Sequence, residues 1–392
     1  MKRIIIGKPY IEQVNGNVRL CSKILENQNE YVMWYEVEKK YQKYLINSAD
    51  AFLVALFPYA VIHDLDIEIN ADVSEKLFYQ LKNYQIPIMT KAFKNRSIEI
   101  TANLNSEIYK GTATGTGLSC GIDSFYTISK HINECESFKL THLTFFNVGA
   151  SGDFGGDDSR KLFKKRIDKV RAFADEHKLE FVTVDSNISE YIKLDFVATH
   201  TFRSMSAALV LGKLFGKYYY SSGHSFNNSH INAKDCSTYD ILNMSSFSTE
   251  STQFYIAGIE TNRIGKIREV VEYEPSYDYL NVCVREEQNC GECEKCLRTL
   301  LALDALGKLD LYKSVFDLNK FYKNKKKYLV FMLKKVHKKN EYYMESYECY
   351  KNKGESIPLS VYIKSYIPNK QDLWYYLPEG MKKIIRKKLK RG

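Results

Sequence analysis

The hydrophobic pattern changes character about a quarter of the way along the chain. Over residues 1–110 the apolar positions alternate loosely, in Asn17–Leu25 and Tyr31–Leu45, among many Tyr and Val, as antiparallel strands do. Leu65–Ile69 and Ser97–Ala102 read as further strands, and Ala49–His63 as a helix with Asn47, Ser48 and Asp50 as candidate caps. This stretch predicts an α+β accessory domain with no chemistry of its own. From 111 to 305 the rhythm becomes strand, loop, helix. Leu143–Val148 is an apolar strand, and Asp157–His177 carries Leu162, Phe163, Ile167, Val170, Phe173 and Ala174 at helical period. Phe181–Val184 and Lys217–Ser221 read as strands and Ser204–Phe215 as a helix of small residues. Such alternation predicts an α/β fold, a parallel sheet with helices on both faces, whose ligands bind at the carboxyl ends of the strands. Residues 306–392 read as a helical, basic, Tyr/Lys-rich region.

Composition adds three bounds. The 392 residues suffice for two or three domains with a buried core, and 44% hydrophobic with 27% charged residues is ordinary globular usage. No apolar run reaches the roughly 18–20 residues that span a bilayer, and the three-residue apolar segment after Met1-Lys2-Arg3 is too short for a secretory signal. The expected location is the cytoplasm. The net charge of +10 is concentrated at the end: residues 321–392 hold 19 Lys/Arg against 6 Asp/Glu, which leaves the rest slightly acidic. The tail is either solvated charge or a surface for nucleic acid or an acidic membrane.

The chemistry concentrates in two places. The first is Gly117-Leu-Ser-Cys-Gly-Ile-Asp-Ser124, a small-residue strand running into a tight turn and then a helix. Amides at such a turn point outward at the positive end of the helix and suit a phosphate chain; ordinary capping by Asp123 and Ser124 is the plainer reading. The second is Cys283, Cys290, Cys293 and Cys296, spaced C-x6-C-x2-C-x2-C. In a chain without a signal peptide this spacing reads as a metal site. Four thiolates complete a tetrahedral shell with no open position, which favours structural Zn2+, with an iron–sulfur cluster second and separate buried cysteines third.

Four of the five specified positions of Ser-Gly-Gly-x-Asp-Ser, the loop of the ATP pyrophosphatase (PP-loop) family, are met by Ser119, Gly121, Asp123 and Ser124; Cys120 stands where the first glycine would be. Together with Cys283, then Cys290-Gly-Glu-Cys293-Glu-Lys-Cys296 and Arg298, the chain resembles the branch that contains 7-cyano-7-deazaguanine synthase. Thr261-Asn-Arg-Ile-Gly-Lys266 and Thr201-Phe-Arg203 resemble further segments of that branch. The resemblance covers about residues 111–305 and implies a Rossmann-like core. It implies an ATP-dependent, pyrophosphate-releasing ligase or amidotransferase that adenylates a carboxylate or amide for attack by a nitrogen nucleophile. ATP, Mg2+ and Zn2+ are the implied cofactors, and the acceptor substrate stays open, since relatives modify bases, tRNA, small metabolites or protein targets. It also implies roles: Ser119, Cys120, Gly121, Ile122, Asp123 and Ser124 around the phosphates, Asp123 on Mg2+, Arg203 as a phosphate clamp, and Asn147 and Val148 beside adenine. Each has a plainer alternative, helix capping for Asp123, a structural salt bridge for Arg203 and a strand end for Asn147 and Val148.

Cys120 opens two other readings, a nucleotide-binding scaffold that has lost turnover, or sulfur transfer by a thiol activated at a helix N-terminus; a buried filler is the third. Lys266, Lys295 and Arg298 either neutralise thiolates, reach a phosphate or lie on the surface. His200, His224 and His230 flank the expected carboxyl edge, and Gly152–Asp158 is either a lid or an ordinary loop.

Overall fold

The computed structural model of the protein describes residues 2–354 and 356–368. The lysine-rich run from Met381 to Arg391 lies outside the described residues. Two compact units emerge, Met1–Val282 and Cys283–Gly392.

The first unit is built on one mixed sheet. Its strands are β1 (Arg3–Ile6), β2 (Tyr10–Val14), β3 (Asn17–Glu26), β4 (Asn29–Glu38), β5 (Asp66–Ser74), β6 (Ile100–Asn105), β7 (Ala113–Gly117), β8 (His142–Asn147), β9 (Glu180–Ser186), β10 (Phe215–Ser221) and β11 (Gln253–Ala257). They lie in the order β11-β10-β7-β8-β9-β4-β3-β1-β5-β6, with β2 on β3. The block β11-β10-β7-β8-β9 is parallel throughout. Successive connections step from β7 to β8 to β9, then jump back to β10 on the other side of β7. This reversal opens a crevice between the carboxyl ends of β7 and β10, the switch point where doubly wound sheets bind ligands. The α/β class and the Rossmann-like order agree with the expectation from sequence.

The expected boundaries at 110 and 305 do not coincide with the compact units. Residues 1–110 extend the same sheet, because β4 pairs antiparallel with β9 at Tyr35↔Ser186 and Glu36↔Asp185. The helix Asp50–Ile62 explains why they cannot stand alone. Eleven of its thirteen residues are buried, so it needs cover on every side. Part of that cover is the helix Phe196–Leu209, through Phe57 on Phe202 at 6.0 Å. This second helix starts eight residues before the expected Ser204, since Asp195 caps it by accepting from the Val197 and Ala198 amides. β1, β2 and β11 have no counterpart among the strands expected from sequence.

Asp50 opens its helix from a buried position, accepting from Ser48 Oγ at 2.6 Å and the Ser74 amide at 2.8 Å. Burial pushes its carboxyl up to about 6, although these hydrogen bonds work the other way. The native state therefore binds a proton that the unfolded chain has released. Stability associated with Asp50 is present below its unfolded pKa and declines as pH rises through about 6, by up to about 3 kcal/mol. Asp50→Asn is expected to flatten this slope; urea unfolding of both proteins between acidic and neutral pH would show it, and unchanged slopes would refute the assignment.

In the second unit the helix Glu294–Leu306 buries Leu297, Leu300, Leu301 and Leu303. It is followed by helices Leu318–His337, Glu341–Asn352 and Leu359–Tyr366, as the expected helical region. No helix among the described residues is long and apolar enough to cross a membrane.

Candidate functional site

The loop after β7 occupies the switch point. Leu118 continues the sheet through its amide to Thr144 O at 2.9 Å. Ser119 is exposed, and the chain then turns at Cys120, which adopts φ +58°. Left-handed backbone costs a side-chain-bearing residue about 1–2 kcal/mol, which accounts for glycine at this place in the resembling loops. The turn is held by the Asn281 amide donating to Cys120 O at 2.7 Å. The helix Ile122–His131 starts immediately, and Ser124 Oγ donates to Gly121 O at 2.9 Å and lies 3.4 Å from Ser119 Oγ. Among the described residues the backbone N–H groups of Ile122 and Ser124 have no acceptor, and that of Gly121 has only Ser119 Oγ at 3.4 Å. The outward amides a phosphate would need are open.

The Cys120 side chain points the other way. It is 2% exposed, and burial pushes the thiol up to about 12, with Lys169 and Arg166 offsetting part of the rise. A sulfur nucleophile needs the opposite shift, so the thiol packs as filler. Cys120→Gly trades a strained left-handed residue for glycine and loses a buried sulfur. The two effects are comparable, so melting is expected to shift by only a few degrees, and ATP binding to be retained or improved; loss of ATP binding would assign the thiol a role at the phosphates.

Asp123 is the most heavily engaged loop residue. Arg263 Nη1 lies 2.7 Å from one carboxylate oxygen and Lys266 Nζ 3.3 Å from the other. Both cations come from the helix Arg263–Val270, whose cap Asn262 accepts from the Gly265 amide at 2.9 Å. Lys266 is 2% exposed; burial lowers its pKa, with Asp123 opposing. Lys266 also donates to Ser222 O, just beyond β10, so it bridges the two sides of the crevice. Gly258 (φ +79°) makes room, since a Cβ there would sit 2.9 Å from Lys266 Cε. Glu260, which accepts from Tyr126 Oη, also lies close enough to Lys266 to favour its charged form, so two cations here meet two carboxylates. Sequence reasoning named Lys266 but passed over Arg263, although both lie in the one Thr261–Lys266 segment.

Other expected residues sit close by in supporting positions. Asn147, at the end of β8, donates to Asp185 at 2.8 Å and accepts from Ser159 at 3.0 Å; both it and Val148 are buried. Arg203 is fully buried, and its guanidinium donates to Asp153 O (2.9 Å), Ser189 Oγ (3.1 Å) and Leu194 O (2.6 Å). It ties the Gly152–Asp158 loop to the entry of the helix Phe196–Leu209, where a phosphate clamp would have to be exposed. Burial lowers its pKa to about 10.

Two of the three histidines converge past the end of β10. His224 Nε2 is 3.3 Å and His200 Nε2 3.8 Å from the Asp235 carboxylate, and His200 Nδ1 is 2.7 Å from Tyr220 Oη. Burial alone would lower the His200 pKa, but Cys236, Tyr220 and Asp235 raise it well above the usual value; Asp235 is held far below its own, its burial outweighed by hydrogen bonds from both histidines. His230 is exposed on Asn228 O and does not join them.

In the second unit Cys283, Cys290, Cys293 and Cys296 form a cluster that can hold a metal ion such as zinc, their sulfurs all within 4.8 Å of one another. Cys290–Cys296 and Cys283–Cys293 are 4.0 and 3.9 Å apart. A tetrahedral ion with Zn–S of about 2.3 Å separates its sulfurs by roughly 3.8 Å. Backbone amides of Glu286 and Cys293 point at Cys283 and Cys290, each at 3.3 Å. Such donors pull the Cys283 thiol down to about 7 despite its burial. Gly291 (φ +72°) makes the knuckle turn, and Cys293 stands directly before the helix Glu294–Leu306 without a side-chain capping bond. Arg298 stacks on Tyr342 at 4.1 Å.

No family model, no curated protein and no solved structure matches the chain.

Proposed function

We propose that the protein is an ATP-dependent, pyrophosphate-releasing enzyme of the adenylating ligase type, with the loop Ser119–Ser124 receiving the triphosphate. The observation that carries this reading is the open set of amides at Gly121, Ile122 and Ser124, at the carboxyl end of β7 and beside the sheet's switch point. In the reaction a substrate carboxylate or amide oxygen attacks the α-phosphorus and pyrophosphate leaves; a nitrogen nucleophile then displaces AMP from the activated carbon. Mg2+ would offset triphosphate charge. The chain's own part is electrostatic. Amides and the hydroxyls of Ser119 and Ser124 donate to phosphate oxygens. Asp123 would hold Mg2+, and Arg263 and Lys266 supply positive charge beside the phosphates. The sulfur positions fit Zn2+ in the four-cysteine site, where it would fix the knuckle and take no part in the chemistry.

Incubating the protein with ATP, Mg2+ and a panel of carboxylic acids, and following exchange of labelled pyrophosphate into ATP, tests the reading. Exchange that depends on one acid supports it; release of ADP and phosphate in its place would overturn it. The engagement of Asp123 by two cations also favours a second reading, a nucleotide-binding scaffold without turnover. That reading predicts tight ATP binding with no exchange for any acid.

A further inference from the structure

The helix Leu359–Tyr366 has two unlike faces. One is docked: Val361 and Ser365 are buried, and Ser365 Oγ lies 2.9 Å from His337 Nε2. The other presents Leu359 and Ile363, exposed by 74 and 58%, and runs on to Ile367 just past the helix end, 56% exposed, while the Tyr366 ring stacks on His337 at 4.3 Å. The spacing of Leu359, Ile363 and Ile367 puts them along one stripe. A contiguous exposed stripe of this kind marks an interaction surface, and the docked face fixes its orientation within the unit. Directly before the helix, Ser356, Ile357 and Pro358 line a cavity of about 710 Å³ with Tyr322, Lys323, Lys325 and Lys326. Lys325 is committed to Asp304 at 2.7 Å. Lys323 and Lys326 add positive charge to a cavity whose described lining residues include no acidic one, the Asp304 carboxylate behind it being taken by Lys325 and Tyr350. Directly after the described helix, the sequence from 369 to 392 holds Leu373-Trp-Tyr-Tyr-Leu377 and then seven Lys/Arg among Met381, Ile384, Ile385 and Leu389.

We propose that this end of the second unit docks on an anionic phospholipid surface. The exposed stripe enters the headgroup–acyl boundary, and the lysine cavity beside it takes a lipid phosphate. Lone apolar stripes also suit protein partners, but the charge decides. Apolar anchors combined with a polybasic segment are the two signals that hold a protein stably at a membrane face, and each basic residue near an anionic leaflet adds comparable, salt-screened attraction. Among the described residues no helix is long and apolar enough to cross a bilayer, and the attachment proposed is peripheral. The inference is independent of the ATP reading.

Co-sedimentation of the full chain with phosphatidylcholine vesicles, with and without phosphatidylserine, tests it. The protein is expected to pellet with the anionic vesicles and to be released by salt. Ile363→Ser, at an exposed position that folding does not need, is expected to weaken partitioning about tenfold, and the pair Lys323→Glu and Lys326→Glu to weaken it several-fold, with circular dichroism unchanged in both. Equal recovery on neutral and anionic vesicles, or no pelleting, would overturn the proposal. So would a concentration-dependent dimer that Ile363→Ser abolishes, or binding to duplex RNA that the lysine variants lose and Ile363→Ser retains, in either case without vesicle binding.

Discussion

Asp123→Asn is expected to lower acid-dependent ATP–pyrophosphate exchange by about a hundred- to a thousandfold, the usual cost of removing one preorganised electrostatic contact at developing charge. The loss has two sources that can be separated. The variant forfeits the carboxylate that would hold Mg2+. It also takes from Lys266, 2% exposed, the nearer of its two counter-charges and leaves it Glu260. Weakening the pairing of a buried cation is costly, and Lys266 relieves part of the cost by giving up its proton, since burial already lowers its pKa. Urea unfolding measures the structural share. If Asp123→Asn exchanges at the wild-type rate, Asp123 belongs to the fold and not to the reaction.

The second large effect is expected at the knuckle. Four thiolates brought within 4.8 Å of one another repel strongly unless a cation sits among them. Cys293→Ser removes one of four ligands from a buried position at the start of the helix Glu294–Leu306, whose leucines form the core beneath it. Structural zinc supplies folding energy outright. The variant is expected to lose its metal and to melt at least ten degrees lower, and chelator treatment of the native protein to do the same. Elemental analysis should find about one zinc per chain. Protein prepared without chelator that carries neither zinc nor iron, yet melts unchanged as Cys293→Ser, would remove the metal from the account.

Much of the architecture was legible because local pattern and tertiary role agree. Asp157–Glu176 shows its period in Phe163, Val170 and Phe173, all buried, and β8 and β9 are short apolar runs between turns. Misreadings arose where long-range pairing decides. Nothing local to Tyr35 and Glu36 shows that they will pair with Ser186 and Asp185 and join the N-terminal strands to the Rossmann-like half. The helix Asp50–Ile62 is apolar on all sides, so its period carried no hint of which faces it covers. At the candidate site the loop and the cysteines were readable because their spacing is the signal. Arg203 was harder. The resemblance of Thr201-Phe-Arg203 implies a phosphate ligand, and only its carbonyl partners Asp153 and Leu194, and the space left at Gly149, reveal a buried tie. The Asp123–Arg263–Lys266 group joins residues about 140 apart in sequence and becomes visible only when β7 and β10 are neighbours.

A crystal structure with Mg2+ and a non-hydrolysable ATP analogue tests the central claim most directly. The account predicts triphosphate oxygens within hydrogen-bond distance of the Gly121, Ile122 and Ser124 amides, with Asp123 holding Mg2+. An analogue bound elsewhere, with those amides still facing water, would contradict it.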